Sequence, residues 1–314
     1  MTAKTYRLLN FWNCLGMFLV LIAGVVVTNT DSGRGCGTDW PLCNGKFVPA
    51  YTLESMIEYT HRAVSGLEGL LVAAVFVVTL MRKPRSGEAV FYAGGSLLFT
   101  IAQAVLGMMA VIWPTSDAVL AIHFGISMIA FTFTWLLYAW SRRRASAPAA
   151  SAAGRRPASA ASAVPAALFR AAIAVIVYCY GVVYLGAYVR HTDSAGGCIG
   201  WPLCNGRFVP DLDGAAGIVF AHRLAGALLF VFILVLALYV NRRSGGRREL
   251  SSLGFVSFAL VAAQVLSGWL VTETLGNEDV YVFTSLLHTI IVTAMFSALC
   301  LLAIRSWQLS RPIR

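Results

Sequence analysis

Apolar residues fall in eight long runs, at approximately 9–29, 55–81, 89–112, 118–140, 168–189, 217–240, 250–272 and 280–304. Each is close to the roughly 20 residues that carry an α-helix across the hydrocarbon core of a bilayer. Polar residues gather between the runs, so the pattern predicts an all-α integral membrane protein of eight transmembrane helices. The pattern also repeats. TDSGRGCGTDWPLCNGKFVP, from Thr30 to Pro49, returns as TDSAGGCIGWPLCNGRFVP, from Thr192 to Pro210, with fourteen identical positions across a one-residue gap. THRAVSGLEGLL around His61 answers AHRLAGALLFV around His222, and AQAVLG at Gln103 answers AQVLSG at Gln264. Self-similarity at a fixed period marks a tandem duplication. Two pseudo-symmetric four-helix bundles are therefore expected, at residues 1–140 and 168–314, joined by a linker at 141–167. Four helices per copy is an even number, so both copies enter the membrane from the same side as parallel repeats.

The linker is rich in Ala, Ser, Arg and Pro and has no aromatic residue to pack, which predicts a flexible cytoplasmic segment. Composition agrees with the membrane reading. Apolar residues make up 58% of the chain, charged residues 12%, and mean hydropathy is +0.74, whereas soluble domains carry roughly 25% charged residues. Of the 24 Lys and Arg, 18 lie on the side that holds both termini, which predicts cytoplasmic termini and long loops on the outer face of the cell membrane. The net charge of +10 thus reports topology. Its basic residues sit in short clusters at helix ends, so the expected surrounding is a lipid bilayer and nucleic acid is not an expected partner. The first apolar run has a counterpart at 168–189 and lacks a small-x-small cleavage site, so it reads as a helix and not a signal peptide.

Four of the seven cysteines belong to the repeat: Cys36 with Cys43, and Cys198 with Cys204. On an outer face disulfides are permitted. Each pair reads as a clip over the helix ends or as a redox-active couple, with a metal site the weakest reading. Cys14, Cys179 and Cys300 lie in apolar runs as small packing residues.

Four of the five histidines, His61, His123, His222 and His288, sit inside predicted helices 2, 4, 6 and 8 at matched depth from the outer end. Intramembrane histidines are costly and mark candidate sites. Pairs at one depth on helices of one bundle suit the two axial positions of a haem iron; hydrogen bonding between helices is the alternative. Zinc would need a third or fourth ligand near each pair. His191 is expected in an outer loop, exposed and unassigned. Arg62 and Arg223 follow the first histidine of each pair, either as partners for haem propionates or as interfacial anchors.

The halves differ at two carboxylates. Glu58 lies three residues before His61 and Glu68 seven after it; their counterparts are Val219 and Leu229. Glu58 is a candidate base or cation stabiliser, against a plain helix-start residue favoured by the dipole. Glu68 ranks second. The asymmetry predicts that the first half acts on a substrate and the second holds a permanent redox group.

With these residues in view, the chain resembles the haem A synthase family along nearly its whole length. Its EYTHR segment at 58–62 is similar to the family's glutamate-x-x-histidine-arginine motif. The resemblance implies Glu58 as the catalytic carboxylate, His61 and His123 as the site of the substrate haem O, and His222 and His288 as ligands of a resident haem B. It also implies disulfides Cys36–Cys43 and Cys198–Cys204 and oxidation of a ring methyl to a formyl group, with oxygen from water, for terminal oxidases. Haem O synthase and the oxidase assembly machinery are the partners it implies; the oligomeric state is open, a homo-oligomer included. A di-haem electron-transfer cytochrome of the b kind is the alternative, and it leaves Glu58 without a role. A transporter of parallel repeats would need matched helix breaks, which the sequence lacks.

Overall fold

The computed structural model describes residues 1–47, 51–146 and 164–310. Among them are eight long α-helices: α1 (Ala3–Asn29), α2 (Leu53–Met81), α3 (Gly87–Ile112), α4 (Asp117–Ser146), α5 (Ala166–His191), α6 (Gly214–Arg243), α7 (Arg248–Glu273) and α8 (Glu278–Ser310). All eight are long and apolar enough to cross a membrane. No strand occurs among the described residues, only two isolated bridges.

Each helix outruns its apolar run, because the run reports the hydrocarbon thickness while the helix continues to its caps. The side chains of Thr2, Thr52 and Ser86 accept hydrogen bonds from Thr5, Ser55 and Ala89 N–H and so cap α1, α2 and α3. The same extension corrects the expected linker at both ends: 141–146 belong to α4 and 166–167 to α5. Residues 147–163, where its flexibility was expected, lie outside the described residues. His191 is corrected too. It is the last residue of α5 and half-buried instead of a loop residue.

The chain divides into two compact units between residues 156 and 157. In the first, α1 packs on α2 and α4, and α3 packs on α2 and α4. That ring leaves α2 and α4 facing each other across the bundle diagonal. In the second unit α5 packs on α6 and α8, and α7 packs on the same two, so α6 and α8 form the diagonal. The histidines lie on these diagonal helices. Side chains facing out of the bundles are large and apolar (Leu67, Leu70, Leu98, Val235, Phe255), as lipid contact requires.

Candidate functional site

In each bundle two histidines face the interior from opposite corners. His61 on α2 and His123 on α4 are near enough for their charges to interact, as are His222 on α6 and His288 on α8. All four are half-buried.

What holds the rings is a feature the histidine pattern alone did not reveal. Each imidazole rests against a glycine of the preceding helix. A Cβ on Gly24 of α1 would lie 3.2 Å from His61 Cε1, and one on Gly107 of α3 would lie 3.3 Å from His123 Cε1. In the second unit, Gly186 of α5 would place a Cβ 2.8 Å from His222 Cε1, and Gly268 of α7 one 3.2 Å from His288 Cε1. Any larger residue at these four positions would push on the ring. The signal was within reach, since Gly107 and Gly268 end the repeated AQAVLG and AQVLSG segments.

The residues present fit an iron porphyrin held between diagonal helices. Among the described residues His61 Nδ1 is buried without a hydrogen-bond partner, so that ring is not committed to a structural bond through that atom, and the polar contact of the His222 ring is with the backbone of Val182. Ser267 Oγ lies 2.8 Å from His288 Nδ1 and orients that ring, while the Gln264 amide meets Nε2 at 2.9 Å. The Ser267 contact is the outer-shell bond that a metal-ligating imidazole ordinarily has on its non-ligating nitrogen, and the Gln264 amide would have to turn from Nε2 for that atom to reach a metal. Among the described residues no three His, Cys, Asp or Glu side chains converge, so each histidine pair stands alone as a donor set.

Above the pairs lie the two cysteine loops, built alike. Cys36 is bonded to Cys43 and Cys198 to Cys204. In each loop an Asn-Gly pair takes positive φ, Asn44 and Gly45 in one, Asn205 and Gly206 in the other. The turn is closed by Cys43 N donating to Lys46 O and Cys204 N to Arg207 O, both at 2.9 Å. Asn and Gly are the residues such a turn demands.

The arginines brace the loops from below. Arg62 Nη1 donates to Asp39 O at 2.8 Å and Leu42 O at 2.9 Å. Arg223 donates to Gly200 O and Cys198 O, each at 2.8 Å. Here the halves part. Glu58 is 3% exposed, its Oε2 accepting from Cys36 N at 2.7 Å and its Oε1 pairing with Arg62. Val219, at the matching place, packs instead against the Cys198–Cys204 disulfide. One bundle therefore carries a buried, fixed negative charge between its disulfide loop and its first histidine. Glu68 is buried deeper in the same bundle, against Gly16 of α1, with Oε1 unpartnered.

The chain is similar to known proteins over nearly its full length. A family model described as cytochrome oxidase assembly protein matches residues 7–174 and 169–217. Haem A synthase of Symbiobacterium thermophilum is 40% identical over 296 residues, 94% of each chain. The chain belongs to the haem A synthase family. Haem A synthases of Halalkalibacterium halodurans and Alkalihalophilus pseudofirmus agree, the first 35% identical over 95% of each chain, the second 34% identical over 94% of this chain and 95% of its own.

Proposed function

We propose that this chain makes haem A by oxidising a ring methyl of haem O to a formyl group, with water as the source of oxygen. Family membership makes it an enzyme of haem A biosynthesis embedded in a membrane. The observation that carries the finer reading is Glu58, a buried carboxylate on the helix of His61 that has an apolar counterpart in the other bundle. An electron-transfer protein with two permanent haems gives that charge nothing to do.

On this reading His61 and His123 hold haem O as substrate, and His222 and His288 hold haem B. Haem B supplies a one-electron redox centre for a reaction that must release electrons. Methyl and water give a hydroxymethyl group, two electrons and two protons; the hydroxymethyl gives the formyl and the same again. Removing electrons from the macrocycle edge builds positive charge there. Glu58 answers it as a fixed anion, because both of its oxygens already accept hydrogen bonds and its position is set before reaction. Arg62 holds the carboxylate and, with Cys36 N, ties it to the disulfide loop that covers the site. The orientation that fits has both termini cytoplasmic and the histidines toward the outer face of the cell membrane. Haem O synthase and the oxidase assembly machinery fit as supplier and recipient.

The decisive experiment is extraction and mass identification of the haems in protein purified from cells that make haem O. Haem B accompanied by haem O or haem A is expected. Haem B alone in both sites, with no haem A formed from added haem O, would return the chain to electron transfer.

The cysteine pairs should separate in the same assay. Serine at Cys36 and Cys43 removes the clip under Cys36 N, the donor to Glu58, and should lower haem A output. Serine at Cys198 and Cys204 frees a loop whose disulfide packs on Val219 where the first loop has Glu58, and should act mainly on stability, by about 2 kcal/mol on the loop-closure estimate. Thermal unfolding and haem chromatography of the two double variants check this, and equal effects on output would count against a link between the first clip and Glu58.

A further inference from the structure

The first bundle carries a column of eight buried polar side chains; the second bundle replaces six of them with hydrocarbon and keeps Ser96 and Gln103 as Ser257 and Gln264. On α1 it comprises Tyr6, Asn10 and Asn13, spaced to lie on one helix face; on α3 it comprises Ser96, Thr100 and Gln103. Glu68 and Thr79 of α2 complete it. By the offsets of the repeat, the partners of Tyr6, Asn10, Asn13, Glu68, Thr79 and Thr100 are Leu168, Ala172, Val175, Leu229, Val240 and Val261. Every one of those twelve is buried.

Polar groups that merely glue helices together have partners on the neighbouring helix. These largely do not. Both polar side-chain atoms of Asn10 and of Asn13, Glu68 Oε1, Ser96 Oγ and Thr100 Oγ1 are buried with no hydrogen-bond partner among the described residues. Unpaired buried polar groups are rare because each forfeits its hydration, and bound water is the ordinary way they are satisfied. Glu68 is also given room that its counterpart lacks. Its Oε2 lies 1.9 Å from where a Cβ of Gly16 would stand, so only glycine admits the carboxyl there. At the position of Gly16 the second bundle has Tyr178, whose ring packs on Phe232 and whose hydroxyl donates to Ala225 O at 3.2 Å.

We propose that the first bundle holds a hydrated proton path, running from the level of His61 and His123 past Glu68, Asn13 and Asn10 to the bundle end at Tyr6 and Thr79. Glu68 lies two turns beyond His61 and accepts protons released at the site. Water held by the two asparagines and by Ser96 and Thr100 passes them on. At the far end the Tyr6 hydroxyl and Thr79 Oγ1 are hydrogen-bonded at 2.7 Å, and the Arg82 guanidinium lies 4.5 Å over the Tyr6 ring, next to the loop between α2 and α3. The path itself is independent of the reaction assigned above. Its use rests on that assignment, in which each stage releases two protons while Glu58, bonded through both oxygens, stays a fixed charge.

The chain contains its own probe. The Cys14 thiol hydrogen-bonds Thr134 and lies near Glu68 in the path, whereas Cys179 is buried in the second bundle beside Cys300. Thiol S–H stretches are resolved in the infrared, and Cys14→Ala and Cys179→Ala assign them. On transfer of the intact protein to D2O, the Cys14 band should convert to S–D at least about tenfold faster than that of Cys179. The triple variant Asn13→Val, Glu68→Leu, Thr100→Val, which copies the second bundle, should abolish that difference. It should also slow haem A formation while leaving the spectrum of bound haem unchanged. A Cys14 thiol in the unaltered protein that exchanges no faster than Cys179 overturns the path, even if haem A is made. Rapid exchange in a protein that makes no haem A keeps the path and removes the reaction assigned to the site.

Discussion

Replacing Glu58 by valine should cut haem A formation by about 10²- to 10⁴-fold, the range a positioned acid–base or charged group contributes, with haem B still bound. Valine is the informative substitution because the second bundle already carries it. Val219 occupies the matching place and packs against a disulfide loop of the same design, so the register accepts an apolar side chain. The variant does leave the Cys36 amide without its acceptor, a local cost of about 1–3 kcal/mol for an orphaned buried donor. Glu58→Gln separates the two effects. Its amide oxygen can still accept from Cys36 N, but the negative charge and the ion pair with Arg62 are gone. Both variants should therefore accumulate haem O, read by chromatography of extracted haems. Output close to that of the unaltered enzyme from either one would mean that the charge is not used.

Much of this site was legible in the chain because membrane solvent leaves few options. A polar backbone cannot cross hydrocarbon except as helix or barrel, so apolar runs translate directly into helices, and a histidine inside one has few bland explanations. Duplication then supplied a comparison within one chain, in which Glu58 against Val219 and Glu68 against Leu229 could be seen as differences. Other features were invisible for equally physical reasons. The glycines that hold the rings act by having no side chain, so Gly24 and Gly186 look like ordinary small residues of a membrane helix until the neighbouring helix is placed. Arg62 and Arg223 were read against the ligand or the interface, yet both donate to loop carbonyls that no residue-type pattern marks, and Arg62 also pairs with Glu58. Helix ends were underestimated wherever capping and basic flanks extended a helix beyond its apolar run. The polar column of the first bundle went unread because its members are spread over three helices and recognisable only once burial is known.

Gly186→Val should lower the affinity of the second bundle for haem B by about 10- to 100-fold, the usual cost of disturbing a contact that positions a metal-ligating histidine. The reason is steric. Even a single Cβ at this position would stand 2.8 Å from His222 Cε1, closer than real Cβ contacts come, and valine adds two methyls to it. The backbone of α5 cannot retreat, since it also packs on α8. The imidazole has to turn, and a ligand must hold its geometry to within about 0.5 Å to remain productive. Gly181→Val is the control on the same helix, where a Cβ meets nothing within 4 Å, and it should keep its full haem B spectrum. Gly24→Val applies the same wedge to His61 and should spare haem B while abolishing retention of haem O. The two wedges thus test the assignment of one haem to each bundle. A Gly186→Val protein that retains haem B with an unchanged spectrum would show that His222 is not held by this contact as a ligand, and the second site would have to be sought elsewhere.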